Sequence, residues 1–295
     1  MWQEQYPVVV GVDGTEASAL AVRWAVREAV ARHRRLRVVH AYSWPPALGP
    51  VPMYTELPEY DPKEVRLAAE RVVDDSVRLA RELADDRIEV TGGAVEGHRV
   101  SVLLTESAQA EVVVVGSRRL HAVGSAMLGS VGAGLTARAA GPTVVVRGPA
   151  GEAAEGTSVI AGVDGGERSA TVLRYAFEHA SRHRVGVRAV LCRHPRMVGP
   201  ARWTAAAAEQ ARVRAASWLA EVLAGWEQKY PDVPVSRALL DDHPVSGLVA
   251  ESAAQQLLVV GGHRRHAVAG SLLGSVSQGV LHHADCPVAV VPTGD

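Results

Sequence analysis

The sequence predicts an α/β protein built from two doubly wound, parallel-sheet domains in tandem. Its 295 residues suit two domains of ordinary size. One segment near the N-terminus recurs 151 residues later, and a longer block recurs at a spacing of 145. In each copy, apolar runs of strand length alternate with helical stretches, a pattern typical of a parallel sheet covered on both faces.

The repeat has two aligned parts. Residues 8–14, VVVGVDG, recur as residues 159–165, VIAGVDG. Residues 98–147 overlay residues 243–292, and 23 of these 50 positions are identical. A repeat of this size indicates a duplicated domain.

Two further segments separate the aligned parts and the copies. Residues 43–62 contain six prolines, a density that neither a helix nor a central strand tolerates, so we expect a loop there. The small, glycine-containing segment 147–157 is typical of a linker. We therefore expect the first domain at residues 1–150 and the second at residues 151–295.

The elements of the first copy follow in order from this pattern. The apolar run 8–12 ends at Asp13 and Gly14, and Thr15 is a typical cap for a helix that continues to about Arg34. The remaining expected elements are a strand at 36–42, a helix from about Pro62 to Ala84, a strand at 87–94, a helix near 99–109, a strand at 112–115, a helix near 130–140 and a strand at 143–146. In the second copy we expect the final strand at 287–291.

Composition excludes several classes of function. With 21% charged residues and a net charge of -1, broad electrostatic attraction to nucleic acid or to a membrane is not expected. The two lysines, Lys63 and Lys229, lie outside glycine-rich stretches, which excludes a Walker phosphate loop and a protein-kinase site. Cys192 and Cys286 form no CxxC pair, and the N-terminus has no secretory pattern, so we expect a cytoplasmic protein.

The loop after the fourth strand is the candidate site of the first copy. Gly116 leaves a buried strand, where a tight turn or a close backbone approach is needed. Gly129 and Ser130 open a helix whose free N–H groups favour an anion. Asp13, at the end of the first strand, is placed to accept hydrogen bonds from a ribose or an adenine amine. The second copy repeats these positions as Gly261, Gly274, Ser275 and Asp164.

These motifs, in this order, resemble the universal stress protein family in its tandem two-domain form. The resemblance implies flavodoxin-like domains, similar to the adenine nucleotide α-hydrolases, and one branch of the family binds ATP through a Gly-x2-Gly-x9-Gly-Ser/Thr loop. Carried over by position, it implies nucleotide contacts from Val12, Asp13, Ala41, Gly116, Arg119, Gly129, Ser130 and Val131 in the first copy, and from Val163, Asp164, Cys192, Gly261, Arg264, Gly274, Ser275 and Val276 in the second.

The middle glycine of that loop is replaced by Arg119 in the first copy and by Arg264 in the second. Two interpretations stay open: the arginine contacts the triphosphate, or its side chain fills the space of the nucleotide. Structural interpretations of the other positions also stay open, with Gly116 serving a turn, Ser130 capping a helix and Asp13 closing an Asx turn. The histidines near the C-terminus have no partner residues in a metal-binding pattern, so we expect no metal site there.

Three functions are therefore compared. The first is an ATP-binding regulatory module of the cytoplasmic stress response that senses nucleotide without turning it over, with Mg²⁺ held through the phosphates. The second is a stress-response interaction protein that has lost nucleotide binding, and the third is a slow ATPase. The family resemblance also implies that the two copies pair within one chain as a pseudo-dimer, with a homodimer of whole chains left open.

Overall fold

The computed structural model describes residues 6–43, 61–117, 129–147, 158–193, 205–263 and 273–294. The described chain divides into two compact units, one comprising the residues up to Ser117 together with Gly129–Val146, the other comprising those from Arg147 onward. Both are alternating α/β units, which confirms the predicted fold class. Over these residues, no helix is long and apolar enough to cross a membrane.

The first unit is a five-stranded parallel sheet in the order β3-β2-β1-β4-β5. Strand order reverses between β1 and β4, so the cleft above their carboxyl ends is where such sheets bind ligands. Its elements are β1 (Val8–Gly11), α1 (Glu16–Arg32), β2 (Leu36–Tyr42), α2 (Pro62–Ala84), β3 (Val90–Glu96), α3 (Arg99–Ser107), β4 (Val112–Gly116), α4 (Ser130–Arg138) and β5 (Thr143–Val146).

The second unit repeats this topology, with a parallel sheet in the order β10-β9-β6-β7-β8. Strand order reverses between β6 and β9, the equivalents of β1 and β4. Its elements are β6 (Val159–Val163), α5 (Ser169–His183), β7 (Val187–Cys192), α6 (Ala205–Lys229), β8 (Val235–Leu240), α7 (Pro244–Glu251), β9 (Leu257–His263), α8 (Ser275–His283) and β10 (Val288–Thr293).

Helix ends follow the local sequence. Thr15 is the N-cap of α1, as predicted, and its hydroxyl accepts a hydrogen bond from the Ser18 N–H at 3.4 Å. Asp61 caps α2, whose first residue is Pro62, a position where the missing N–H costs nothing. The helices α1 and α5 both end at a left-handed residue, His33 at φ 52° and Arg184 at φ 56°, which stops the helix at equivalent positions.

The predicted strand at 87–94 is displaced from the observed β3, Val90–Glu96. Asp85 and Asp86 both adopt left-handed conformations, at φ 50° and 55°, so the chain is still turning at the position where the strand was expected. Pairing with β2 then continues as far as Glu96 opposite Tyr42. The final strand is displaced in the same direction: β10 starts at Val288 and pairs with β9 as far as Thr293.

A duplicated ion pair fastens a strand to a helix in each unit. The Arg37 guanidinium on β2 donates to both carboxylate oxygens of Glu106 on α3, at 2.8 and 2.8 Å. At the equivalent place in the second unit, Arg188 on β7 donates to Glu251 on α7 at 2.6 and 3.0 Å. This two-pronged geometry fixes orientation as well as contact, so both units hold the strand beside the candidate site in the same way.

Candidate functional site

The first unit places Val12 and Asp13 directly after β1, at the carboxyl edge of the sheet. Val12 is buried, and its N–H donates to the Val39 carbonyl oxygen at 2.9 Å. Asp13 is exposed, and its Oδ1 accepts from the Thr15 N–H at 3.2 Å and from the Thr15 hydroxyl at 2.5 Å. The structural interpretation of Asp13 is therefore correct, since it closes the turn into α1, and Gly14 completes that turn at φ 75°.

Asp164 is the equivalent residue after β6. Its Oδ1 accepts from the Gly166 N–H at 3.0 Å and from the Ser169 hydroxyl at 2.9 Å. Burial alone would raise the pKa of the Asp164 carboxyl, but these hydrogen bonds and the charge of Arg168 outweigh burial and lower the pKa below its ordinary value. The carboxylate is thus held in its charged form, and Val163 before it is buried as Val12 is.

The lowered pKa of Asp164 predicts a pH-dependent contribution to stability. A carboxyl with a depressed folded-state pKa stabilises the fold above its unfolded-state pKa, and that contribution is lost as pH falls through the folded-state value. We expect Asp164→Asn to lower the free energy of unfolding at pH 7, and the difference from wild type to shrink below about pH 4. Urea denaturation across pH 2.5–7 measures it, with the exposed Asp74→Asn as the matched control. A difference that stays constant over this range would contradict the prediction.

The predicted adenine-facing positions lie at the carboxyl ends of β2 and β7. Ala41 is buried on β2, where it pairs with Val95. Next to it, the His40 ring lies with Nδ1 2.7 Å from the Val12 carbonyl oxygen, so that nitrogen donates. His40 was not among the site residues predicted from the sequence, although a polar residue within the apolar run LRVVHAY was the available signal. Its equivalent in the second copy is Leu191.

Cys192 occupies the position of Ala41 in the second unit and is half-buried. Its Sγ lies 4.0 Å from the Pro244 carbonyl oxygen. Burial, with smaller contributions from Asp242 and Glu251, raises the pKa of this thiol to about 11. Cys192 therefore stays protonated at neutral pH and presents a small apolar surface in place of a reactive thiolate.

Gly116, at the end of β4, is required by packing. A methyl group at Gly116 would overlap the carbonyl oxygen of Ala17 in the first turn of α1 and would lie 2.5 Å from its carbonyl carbon. At the equivalent Gly261, the nearest atom would be Cγ2 of Thr293 at 3.0 Å, the end of a side chain. The two glycines are thus equivalent in sequence, but only the first is pressed against a backbone.

The helices α4 and α8 start at glycines. Gly129 and Gly274 are the N-caps, with extended backbone at φ/ψ of -59°/151° and -63°/148°, and no described side chain caps either helix. Ser130 and Ser275 are exposed and occupy the first helical position, so the interpretation of these serines as caps is wrong. Each hydroxyl lies one residue too late to accept from the first-turn N–H groups. Val131 and Val276, one residue further on, are half-buried in the same turn.

The described site residues of each unit thus share one edge. They lie at or just after the carboxyl ends of β1, β2 and β4 in the first unit and of β6, β7 and β9 in the second, or at the start of the helix that leads back from that edge. Arg119 and Arg264, whose effect on the loop was left open, lie outside the described residues. The predicted boundary near residue 150 also lies outside them. The helix N-terminus at each edge can bind an anion. The carboxylate of Asp13 or Asp164 at the same edge can accept hydrogen bonds from donor groups of a ligand.

Each half of the chain is a doubly wound, parallel α/β unit. In each, a helix that starts at a glycine begins at the carboxyl edge of the sheet. The model of the universal stress protein family matches residues 6–147 and, a second time, residues 157–292. The chain belongs to the universal stress protein family, in its tandem form, as the resemblance in sequence implied.

Individual relatives agree with this assignment. The universal stress protein Rv2005c of Mycobacterium tuberculosis is 36% identical over 299 residues, covering 98% of this chain and 97% of its own length. A universal stress protein of Mycolicibacterium smegmatis is 35% identical over 301 residues, covering 97% of both chains. The crystal structure of a universal stress protein from Archaeoglobus fulgidus superposes with a TM-score of 0.72 at 18% identity, covering 98% of this chain and 100% of that one, which shows the shared fold.

Proposed function

We propose that the protein binds an adenine nucleotide at the carboxyl edge of its sheets and acts as a regulatory module of the cytoplasmic stress response. The observation that carries this proposal is the pair of helix starts at Gly129 and Gly274, where the first-turn N–H groups meet no capping side chain. Ser, Thr, Asp and Asn caps supply a side-chain acceptor for these N–H groups, whereas glycine, which is also common at this position, supplies none. A phosphate group would satisfy the same N–H groups and match the positive end of the helix dipole.

The rest of each edge suits the other parts of a nucleotide. Asp13 and Asp164 are carboxylates at the same edge as the helix starts and would accept hydrogen bonds from ribose hydroxyls. Ala41 and Cys192 offer small apolar surfaces for a base. Mg²⁺ would enter with the phosphates, because each edge offers one of these carboxylates and the ion prefers oxygen ligands shared with phosphate. We propose that the ligand is ATP, which the protein senses and does not hydrolyse.

Isothermal titration calorimetry with ATP tests the proposal, and the helix starts provide a variant that preserves the fold. Counting the described residues, a Cβ atom added at Gly129 would meet nothing within 4 Å, and one added at Gly274 would meet only the Ser277 hydroxyl at 4.0 Å. In the double variant Gly129→Asp/Gly274→Asp, each aspartate caps its helix and places a negative charge where the phosphate would lie. We expect ATP affinity to fall at least tenfold while the thermal midpoint is kept or raised.

The matched control is Gly129→Asn/Gly274→Asn, which supplies a cap without the charge and should lose less affinity than the aspartate pair. Absence of heat at ~1 mM ATP with wild-type protein would overturn nucleotide binding. It would favour instead the interaction protein suggested by Arg119 and Arg264 in the loops. Phosphate release from ATP above the buffer blank would show turnover and replace sensing by a slow ATPase.

A further inference from the structure

We infer that the two copies are unequal, that the first binds the nucleotide, and that the Ser117 hydroxyl is a further binding group of that site. This inference rests on the proposed function and specifies which edge performs it. It is carried by the hydrogen bonding of the residues at the carboxyl ends of β4 and β9. Within the described part of the first unit a buried hydroxyl has no partner, whereas in the second unit the strand-end carbonyl groups accept hydrogen bonds from side chains of the same unit.

Ser117 directly follows β4 and is 7% exposed. Its N–H donates to the Val146 carbonyl oxygen at 2.9 Å, but its hydroxyl has no hydrogen-bond partner among the residues that the structure describes. A buried hydroxyl without a partner loses the hydrogen bonds that it makes to water in the unfolded chain, so such a group needs an explanation. A ligand oxygen arriving at this edge would supply the missing partner.

The direction of the Ser117 side chain follows from the strand. A methyl group at Gly11 would contact Val115 of β4 at 3.3 Å and Leu103 of α3 at 2.9 Å, so Val115 points to the face that carries α3. Side chains alternate along a strand, and Ser117, two residues further on, points to the same face. Gly116 between them points to the opposite face, against α1.

The helix α4 lies on that same face. A methyl group at Gly134 of α4 would meet the Val100 side chain of α3 at 2.8 Å, so the two helices pack together. Since α4 connects the end of β4 to the start of the parallel strand β5, its N-terminus lies at the carboxyl edge. The Ser117 hydroxyl and the uncapped start of α4 at Gly129 therefore share both a face and an edge of the sheet.

The second unit differs at each of these points. Gly262 stands where the first copy has Ser117, so there is no hydroxyl. The Gly261 carbonyl oxygen accepts from the Ser277 hydroxyl in the first turn of α8 at 2.6 Å, and the Gly262 carbonyl oxygen accepts from Thr293 at 3.1 Å. The equivalent of Ser277 is Gly132, which cannot form this bond.

The two carboxyl edges therefore differ in which polar groups still need a hydrogen-bond partner. In the second unit, Ser277 fastens the start of α8 to the end of β9, and both strand-end carbonyl groups are satisfied without a ligand. In the first unit, the helix start has no such bond from Gly132, and the Ser117 hydroxyl gains its hydrogen bond only when an acceptor or donor arrives. The nucleotide is therefore expected to bind more tightly at the carboxyl edge of the first unit than at that of the second.

Calorimetry of the full chain with ATP tests this inference. We expect one nucleotide per chain, loss of binding in Gly129→Asp and retention of binding in Gly274→Asp. In Ser117→Ala, affinity should fall about tenfold, because the hydrogen bond to a charged phosphate is lost. The thermal midpoint of the free protein should be unchanged or higher, since the variant removes an unsatisfied hydroxyl. Ser277→Gly, the matched control in the second copy, should keep wild-type affinity.

Three results would each overturn the inference and leave nucleotide binding in place. The first is two sites of equal affinity, and the second is binding that is lost in Gly274→Asp and kept in Gly129→Asp. The third is unchanged affinity in Ser117→Ala. The complete absence of ATP binding by wild-type protein would instead overturn the proposed function itself. The two failures are therefore distinguishable within one set of titrations.

Discussion

Gly116→Ala is expected to lower the free energy of unfolding by about 3 kcal/mol or more, at the upper end of the range for overpacking a well-filled site. The new methyl group would overlap the Ala17 carbonyl oxygen and lie 3.0 Å from the Ser18 nitrogen. Both atoms belong to the backbone at the start of α1, and neither moves without displacing that helix. Urea denaturation followed by circular dichroism gives the change in midpoint.

Gly261→Ala is the matched control, because it makes the same change at the equivalent position of the second copy. There the methyl group would meet the end of the Thr293 side chain at 3.0 Å and Val172 at 3.5 Å. A small rotation relieves such contacts, and we expect a loss of about 1 kcal/mol or less. Equal shifts of the midpoint in the two variants would show that the close approach of Ala17 does not decide the residue at position 116.

The second large effect is expected at Arg147, which is 1% exposed and is the first described residue assigned to the second unit. Its Nη1 donates to the Leu281 carbonyl oxygen, and its Nη2 donates to that of His282 at 2.9 Å. These carbonyl groups belong to the last turn of α8, where they have no partner within the helix and the dipole favours a cation. Arg147→Ala leaves both without this partner and opens a cavity, so we expect a loss of about 3 kcal/mol.

Arg138→Ala provides the comparison, since Arg138 also lies in the last turn of a helix but is exposed, with its Nε 3.4 Å from the Gly134 carbonyl oxygen. We expect this variant to lose less than about 0.5 kcal/mol. Arg147→Met retains the apolar stem without the donors and should fall between the two. If Arg147→Ala and Arg138→Ala shifted the urea midpoint equally, the buried arginine would have no special part in holding α8.

Much of the fold follows from the sequence for clear physical reasons. Valine-rich runs such as 112–115 are long enough for a strand and too short for a helix, and buried parallel strands require apolar residues on both faces. The helix at Pro62–Ala84 matches its predicted bounds, because a proline-rich segment precedes it and Pro62 suits a first turn. The start of β3 was misplaced because the left-handed conformations of Asp85 and Asp86 leave little trace in composition.

The candidate site, like the fold, was predictable from the sequence only in part. Its edge was predictable, because parallel strands place all their carboxyl ends together and the repeat marks which loops follow them. The partners of individual polar groups were not predictable. Whether Ser130 caps a helix depends on a displacement of one residue, and the bond from Ser277 to Gly261 joins residues that only the folded chain brings together. The unpartnered hydroxyl of Ser117 is likewise a property of register and burial.

The position of Arg147 has a consequence for the evolution of the duplicated chain. It is the last residue of the first sequence repeat, yet it completes a helix of the second unit, and the corresponding residue of the second repeat is Pro292. A descendant that retained only the second repeat would lose the donors at the end of α8. The end of α8 therefore depends on a residue that lies in the first repeat, and loss of that repeat would remove a contact of the second unit.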